Sequence, residues 1–379
     1  MKAVIAIDSL KGSLTSMEAG NAIRDGILHA DREAEVVVRP LADGGEGTVE
    51  ALICGMGGTV ETLTVCGPMG KPVQASYGIL SDGKTAVMEM ASASGITLVP
   101  EKERNPMHAT TFGLGEMILD AIRKGCRHFI IGIGGSATND GGIGMLQGLG
   151  FGILDRDGTP VSYGAKGLSE IASITDDHVT AQLKECDFTI ACDVTNPLCG
   201  ANGCSAVFGP QKGADAAMIV EMDGWLREYA RLTKEKYPDA DAEFPGTGAA
   251  GGLGFAFIAY LGAKLESGIQ IVLRETKLED YVKDADVVVT GEGRLDAQTV
   301  MGKAPSGVAN IAKKYGIPVI AFSGMVTDDA VACNEHGIDA FFPILRGVVT
   351  LEEAMNPEKA RANMSAAAEQ VFRLIKAVR

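Results

Sequence analysis

Short apolar runs alternate with segments of helical period at both ends of this chain, and the middle breaks that rhythm. Lys2–Ile7 reads as a buried strand. Thr15-Ser-Met-Glu18 fits a capping box, and Ala19, Ala22, Ile23, Ile27 and Ala30 then fall on one helical face. Glu35–Leu41 predicts a second strand and Thr48–Ile53 the start of a second helix. Toward the other end, Asp286–Thr290, Pro318–Phe322 and Ala340–Ile344 read as strands. Pro305–Tyr315 reads as a helix that stops at Gly316. A last helix enters through the capping box Thr350-Leu-Glu-Glu353, with a break near Pro357. Strands and helices in alternation imply a parallel sheet covered on both faces.

The segment Thr59–Met90 instead predicts antiparallel strands, VETLTV, PVQASYGIL and TAVMEM, separated by Gly-Pro and Ser-Asp-Gly turns. Ala214–Lys236 reads as a long helix and Gly251–Lys264 as an apolar, buried one. A chain of 379 residues is long enough for two domains. The expected organisation is a discontinuous α/β domain from residues 1–62 and 283–379, with a mixed α/β domain, 63–282, inserted in it.

Glycine changes this picture from architecture to chemistry. There are 49, well above the usual share, and they cluster where strands open into polar loops. Ile130–Gly142 (IIGIGGSATNDGG) is the fullest case, with Gly134, Gly135, Ser136, Asn139 and Asp140. The same order of apolar run, carboxylate and glycine or hydroxyl recurs at Ile5–Ser13, Leu41–Thr48, Ile190–Gly200 and Val287–Gly302. Such loops present backbone N–H groups to anions. Five of them suggest one anion-and-metal site, in which Asp8, Asp43, Asp140, Asp193 and Asp296 converge.

Charge and composition narrow the ligand. The net charge of −15 and an aromatic content of 5% speak against nucleic acid as a partner. The eight cysteines show no zinc spacing; Cys199 and Cys204 lack a second pair. The N-terminus is too quickly polar for a signal segment and no apolar run reaches about 18 residues, so the expectation is a cytoplasmic protein without a membrane partner. A homo-oligomer is compatible with the sequence.

Several motifs are missing. Gly302-Lys303 is followed by Ala304 and is no P-loop. Gly246-Thr-Gly248-Ala-Ala-Gly251 follows Pro245 rather than a strand, which disfavours a dinucleotide fingerprint. Gly132-x-Gly134-x-x-Ala137 follows a strand, but its polar residues have no role in binding NAD. His29, His108, His128, His178 and His336 all lie outside the loops, which disfavours a histidine-based nucleophile.

The candidates that remain are acids, cations and small residues. Asp8, Lys11 and Ser13 sit between the first strand and first helix; Asp43, Gly44 and Gly45 form a second turn. Helix capping would account for one of Ser136, Asn139 and Asp140, not all three. Asp193 follows a strand and precedes a Pro-stopped loop, as a Mg2+ ligand or general base would. Glu292 and Asp296 flank Arg294, an arrangement open to a simple ion pair, but Thr299, Gly302 and Lys303 follow and favour an anion pocket. Phosphoryl transfer matches this inventory best, because it needs metal-holding carboxylates, cations and N–H groups on phosphate, and one acid for the acceptor hydroxyl.

GIGGSATNDGG, PLADGGEGT, DSLKGS and TGEGRLDAQTVMGKAPSGVA together resemble the motifs of bacterial glycerate kinases of the glycerate 2-kinase type, and the resemblance runs essentially end to end. It implies phosphorylation of D-glycerate by ATP, generally giving 2-phosphoglycerate, and a flavodoxin-like domain made from both chain ends with a second α/β domain inserted. On that basis Lys11, Ser136 and Arg294 are expected to recognise the glycerate carboxylate and the phosphates. Asp193 or Asp296 would orient or deprotonate the acceptor hydroxyl, and Mg2+ would fall to the set Asp193, Glu292 and Asp296. Gly134, Gly135 and Gly302 would let the backbone approach phosphate. Two alternatives stay open: an NAD(P)-dependent reductase of a small 2-keto acid such as hydroxypyruvate, and a non-catalytic small-anion-binding protein.

Overall fold

A computed structural model describes residues 1–42 and 47–378. Asp43, Gly44 and Gly45 lie outside the described residues. Among those described, the strands are β1 (Lys2–Ile5), β2 (Glu35–Val38), β3 (Gly58–Cys66), β4 (Pro72–Leu80), β5 (Thr85–Glu89), β6 (His128–Gly132), β7 (Gly152–Leu154), β8 (Ser173–Thr175), β9 (Asp187–Ala191), β10 (Lys264–Glu266), β11 (Val287–Leu295), β12 (Val319–Val326) and β13 (Ala340–Pro343). The chain divides into two compact units.

The first unit takes Met1–Asp43, Glu50–Gly57 and Ile269–Arg379. Its sheet is wholly parallel, in the order β2-β1-β11-β12-β13. Counted along the unit this is 2-1-3-4-5, the flavodoxin-like order. One face, with Ile5, Ile7, Val289 and Phe322, packs on Ala19, Ile23 and Ile27 of the helix Ser16–Ala30 and on Met364, Ala368 and Phe372 of the helix Pro357–Val378. Both capping boxes form: Thr15 Oγ1 accepts the Glu18 amide at 3.2 Å, and Thr350 Oγ1 accepts that of Glu353 at 3.2 Å. Asn356, in extended conformation, separates Leu351–Met355 from the last helix, which Pro357 opens, a position where its missing N–H leaves no helical bond unmade.

One strand runs further than its composition suggests. β11 does not stop at Thr290 but continues through Gly-Glu-Gly-Arg-Leu, because Glu292, Arg294 and Leu295 stay in register with Ser323, Met325 and Val326 of β12. Gly291 is what permits it: φ is +154° there, and a Cβ would stand 1.9 Å from the Phe322 carbonyl oxygen.

The second unit takes Gly44–Val49 and Gly58–Gly268. Its six-stranded sheet has the order β10-β9-β6-β5-β4-β3. β3, β4 and β5 are antiparallel neighbours, as their sequence predicts; β5, β6, β9 and β10 are parallel. Phe129 of β6 stacks on Phe188 of β9 with centroids 4.9 Å apart, and Phe188 meets Phe257 at 6.1 Å. Phe257 belongs to Ala249–Leu261, where Ala250, Gly251 and Gly252 have left-handed backbone, so the regular helix begins only after Gly252. No helix among the described residues is long and apolar enough to cross a membrane.

Candidate active site

In parallel sheets, ligands gather at the carboxyl ends of strands, because helix N-termini and loop amides face that edge. In the second unit, β6 and β9 end side by side, with Gly132 paired to Ala191. Beyond Gly132 the chain leaves Gly134 and Gly135 exposed and then buries Ser136, Thr138, Asn139 and Asp140. Beyond Ala191 it leaves Asp193 exposed, with Oδ1 accepting the Gly268 amide at 3.2 Å.

Asp140 is fully buried and its carboxylate is spent on its own surroundings. Oδ2 accepts the Thr111 amide at 2.8 Å, the Thr111 hydroxyl at 2.9 Å and the Gly144 amide at 3.3 Å; Oδ1 accepts the Gly142 amide at 3.1 Å. Burial pushes its pKa up, and these four donors pull against that. Asn139 donates from Nδ2 to Ser205 Oγ at 2.8 Å, while its Oδ1 is buried without a partner.

The loop's nearest cation is one that the sequence does not single out. Lys212, 2% exposed, donates from Nζ to Ser136 Oγ at 2.8 Å and to the Thr138 carbonyl at 2.6 Å. Burial lowers its pKa to about 8, with Cys204 and Asp140 acting the other way. A buried cation held only by neutral acceptors costs the fold several kcal/mol. The lysine of a Pro-Gln-Lys-Gly turn ordinarily lies on the surface, so no local signal marks it.

In the first unit, β1 and β11 are the neighbours at which the strand order reverses, the switch point where such folds bind ligands. Asp8, 6% exposed, donates from its amide to the Gly291 carbonyl at 3.0 Å, and its Oδ1 accepts the Ser9 amide at 2.7 Å. Leu10 and Leu14 pair and are buried, which leaves Lys11 exposed at the tip of the turn. Ser13 Oγ is buried without a partner.

At the end of β11 a charge cluster forms. Thr299 Oγ1 donates to Glu292 Oε1 at 2.7 Å. Lys303 Nζ lies 3.6 Å from Glu292 and 3.5 Å from Asp296, and Arg294 Nε lies 3.3 Å from Asp296. Burial raises the pKa of Glu292, partly offset by Thr299 and Lys303. Gly302, in left-handed conformation, turns the chain into the helix Ala304–Lys314, whose N-terminus adds positive potential beside Lys303.

The structure thus assembles Glu292, Arg294, Asp296 and Lys303 at the end of β11, the strand to which the Asp8 amide bonds; it groups Ser136, Asn139 and Asp140 one strand away from Asp193. Among the described residues no three His, Cys, Asp or Glu side chains are grouped for a metal. Glu292 and Asp296 make a two-carboxylate set, which is what Mg2+ uses when phosphates and waters complete its shell. Asp193 belongs to the other unit.

Known proteins resemble this chain along its whole length. A family model described as the glycerate kinase family matches residues 3–376. The glycerate 2-kinase of Escherichia coli K12 is 50% identical over 354 residues, 93% of each chain. The glycerate kinase of Bacillus subtilis 168 is 46% identical over 376 residues, 99% of this chain and 98% of that one. A crystal structure of a protein described as glycerate kinase 2, from Salmonella typhimurium LT2, superposes with a TM-score of 0.91 at 46% identity, covering 100% of this chain and 98% of that one.

Proposed function

The chain belongs to the glycerate kinase family, and from that membership we propose that it is a cytoplasmic enzyme that transfers the γ-phosphoryl group of ATP, with Mg2+, to the 2-hydroxyl of D-glycerate, releasing 2-phosphoglycerate and ADP. The observation that carries this reading is the 50% identity, over 93% of both chains, with a relative named glycerate 2-kinase. The charge cluster at the end of β11 supports it, because phosphoryl transfer asks a protein chiefly for positioning and for charge on the phosphates.

Lys11, Arg294 and Lys303 supply the cations for the phosphates. Gly302 and the helix behind it, the partnerless Ser13 hydroxyl and Asp8 complete that phosphate-binding set, joined on motif grounds by Asp43, Gly44 and Gly45. Glu292 and Asp296 would hold Mg2+, which when bound neutralises charge on the transferred group. In the second unit Ser136 and the exposed backbone of Gly134 and Gly135 receive the hydroxy acid. Asp193, at the neighbouring strand end, orients the acceptor hydroxyl and takes its proton. Asn139 and Asp140 act through the shape of the loop.

The test is ADP release from ATP and D-glycerate, with and without a Mg2+ chelator, and ³¹P NMR of the product. Mg2+-dependent formation of 2-phosphoglycerate is expected. A 3-phosphate product overturns the regiochemistry. Oxidation of NADH by hydroxypyruvate, with no ADP release, overturns the whole reading.

A further inference from the structure

Lys212 lies outside every loop that the motifs mark, and its surroundings call for an anion. An ammonium group has three N–H donors. Two are used, on Ser136 Oγ at 2.8 Å and the Thr138 carbonyl at 2.6 Å, and both acceptors are neutral. Among the described residues no carboxylate lies within ion-pair distance of it. Ser136 accepts from Lys212 and so keeps its own O–H to give. A buried positive charge therefore stands beside one N–H and one O–H, just past the exposed Gly134 and Gly135.

We propose that Lys212 and Ser136 together bind the carboxylate of the hydroxy acid substrate, with the Lys212 ammonium as its counter-ion. The proposal rests on the kinase reading and deepens it. Two donors and one charge match the two oxygens of a carboxylate. A triphosphate carries more charge, and Arg294 and Lys303 of the first unit's charge cluster, with Mg2+, answer it better. The adjoining strand end carries Asp193, so a carboxylate on Lys212 leaves the neighbouring 2-hydroxyl for that acid.

The test is Lys212→Met, which keeps length and removes charge. The KM for D-glycerate should rise about 50-fold or more while the KM for ATP stays within about twofold. Selectivity is the readout that a structural role would not move: wild type should prefer D-glycerate to its uncharged amide, and the variant should lose that preference. A folded variant with unchanged glycerate KM and selectivity overturns the proposal, and so does a rise confined to ATP, which would place a phosphate on Lys212.

Calorimetry on the wild type covers the case in which the variant does not fold. D-glycerate binding at about pH 8.5, in two buffers of different ionisation heat, should take up protons, because the carboxylate holds Lys212 charged. At about pH 6.5 the uptake should vanish. The titratable groups facing Lys212 are Cys204 and Asp140; the thiol is pushed up to about 11 and stays outside this range. Absence of uptake at the higher pH overturns the proposal. Uptake without any ADP release in the kinase assay would instead sink the kinase reading and leave the carboxylate site standing.

Discussion

The backbone of Gly251 lies so close to Thr138 that a Cβ on Gly251 would stand 2.1 Å from the Thr138 carbonyl oxygen. That carbonyl also accepts the Lys212 ammonium, and the Gly141 amide donates to the Gly251 carbonyl at 2.9 Å. Gly251 therefore serves backbone-to-backbone packing under the Ser136 loop, as Gly248 does against Pro197, where a Cβ would stand 2.2 Å from the carbonyl oxygen. Gly251→Ala, at φ +70°, should cost about 2–4 kcal/mol in urea unfolding, combining left-handed strain with overpacking. It should also raise the KM for D-glycerate. An unchanged unfolding midpoint would show that the loop yields freely.

The neighbouring Ala250 carries the same left-handed conformation, φ 52°, without a glycine's freedom. Ala250→Gly should relieve it and stabilise the protein by about 0.5–1 kcal/mol, because the strain removed outweighs the extra entropy of the unfolded chain. Thermal melts of the two proteins side by side decide the sign.

Asp140 is the hub of the same loop. Asp140→Ala leaves the amides of Thr111, Gly142 and Gly144 and the Thr111 hydroxyl without their shared acceptor. At about 1–3 kcal/mol for each buried group left unsatisfied, the loss should be at least about 3 kcal/mol. Asp140→Asn keeps one oxygen but turns an N–H2 toward the backbone donors, and should fall between wild type and alanine in urea midpoint. A variant of full stability and no activity would instead make Asp140 a direct ligand.

Glu292 couples stability to pH. Burial raises its pKa in the fold, so the folded state holds that proton more tightly than the unfolded chain does. Its contribution therefore favours folding below the ordinary carboxylate range and is lost as pH rises through the raised value. Glu292→Gln removes the charge: its Tm should exceed wild type at about pH 7.5, and the gap should close at about pH 4.5. Its kcat should fall about 100-fold, since the carboxylate is proposed to hold the metal. A lower Tm at the higher pH would mean that Lys303 and Thr299 more than repay the burial.

Much of this could be read from local pattern, and the exceptions share a cause. Thr15-Glu18 and Thr350-Glu353 are legible as helix starts because a capping box is complete within four residues. The Gly-rich strand ends are legible for the same reason. The extension of β11 is not, because Gly-Glu-Gly reads as a turn until β12 supplies the ladder beside it. Lys212 is not, because its burial comes from contact with a loop 76 residues earlier in the chain. Asp140 is legible as special, but whether its partners are ligand atoms or its own backbone is decided by Thr111, 29 residues away.

Asp193 separates positioning from chemistry. It stands exposed beyond Ala191, and Ala191 pairs with Gly132 at the mouth of the Ser136 loop. Its Oδ1 accepts the Gly268 amide at 3.2 Å, which helps to orient the carboxylate. Asp193→Asn preserves size and that acceptor but cannot take a proton. The expected result is a drop in kcat of about 100-fold or more with KM for ATP and Tm close to wild type, the signature of a group used in the transition state. Steady-state kinetics beside a thermal melt measure both. If kcat survives within a fewfold, Asp193 only braces Gly268, and the hydroxyl's proton must go to Asp296 or Asp8.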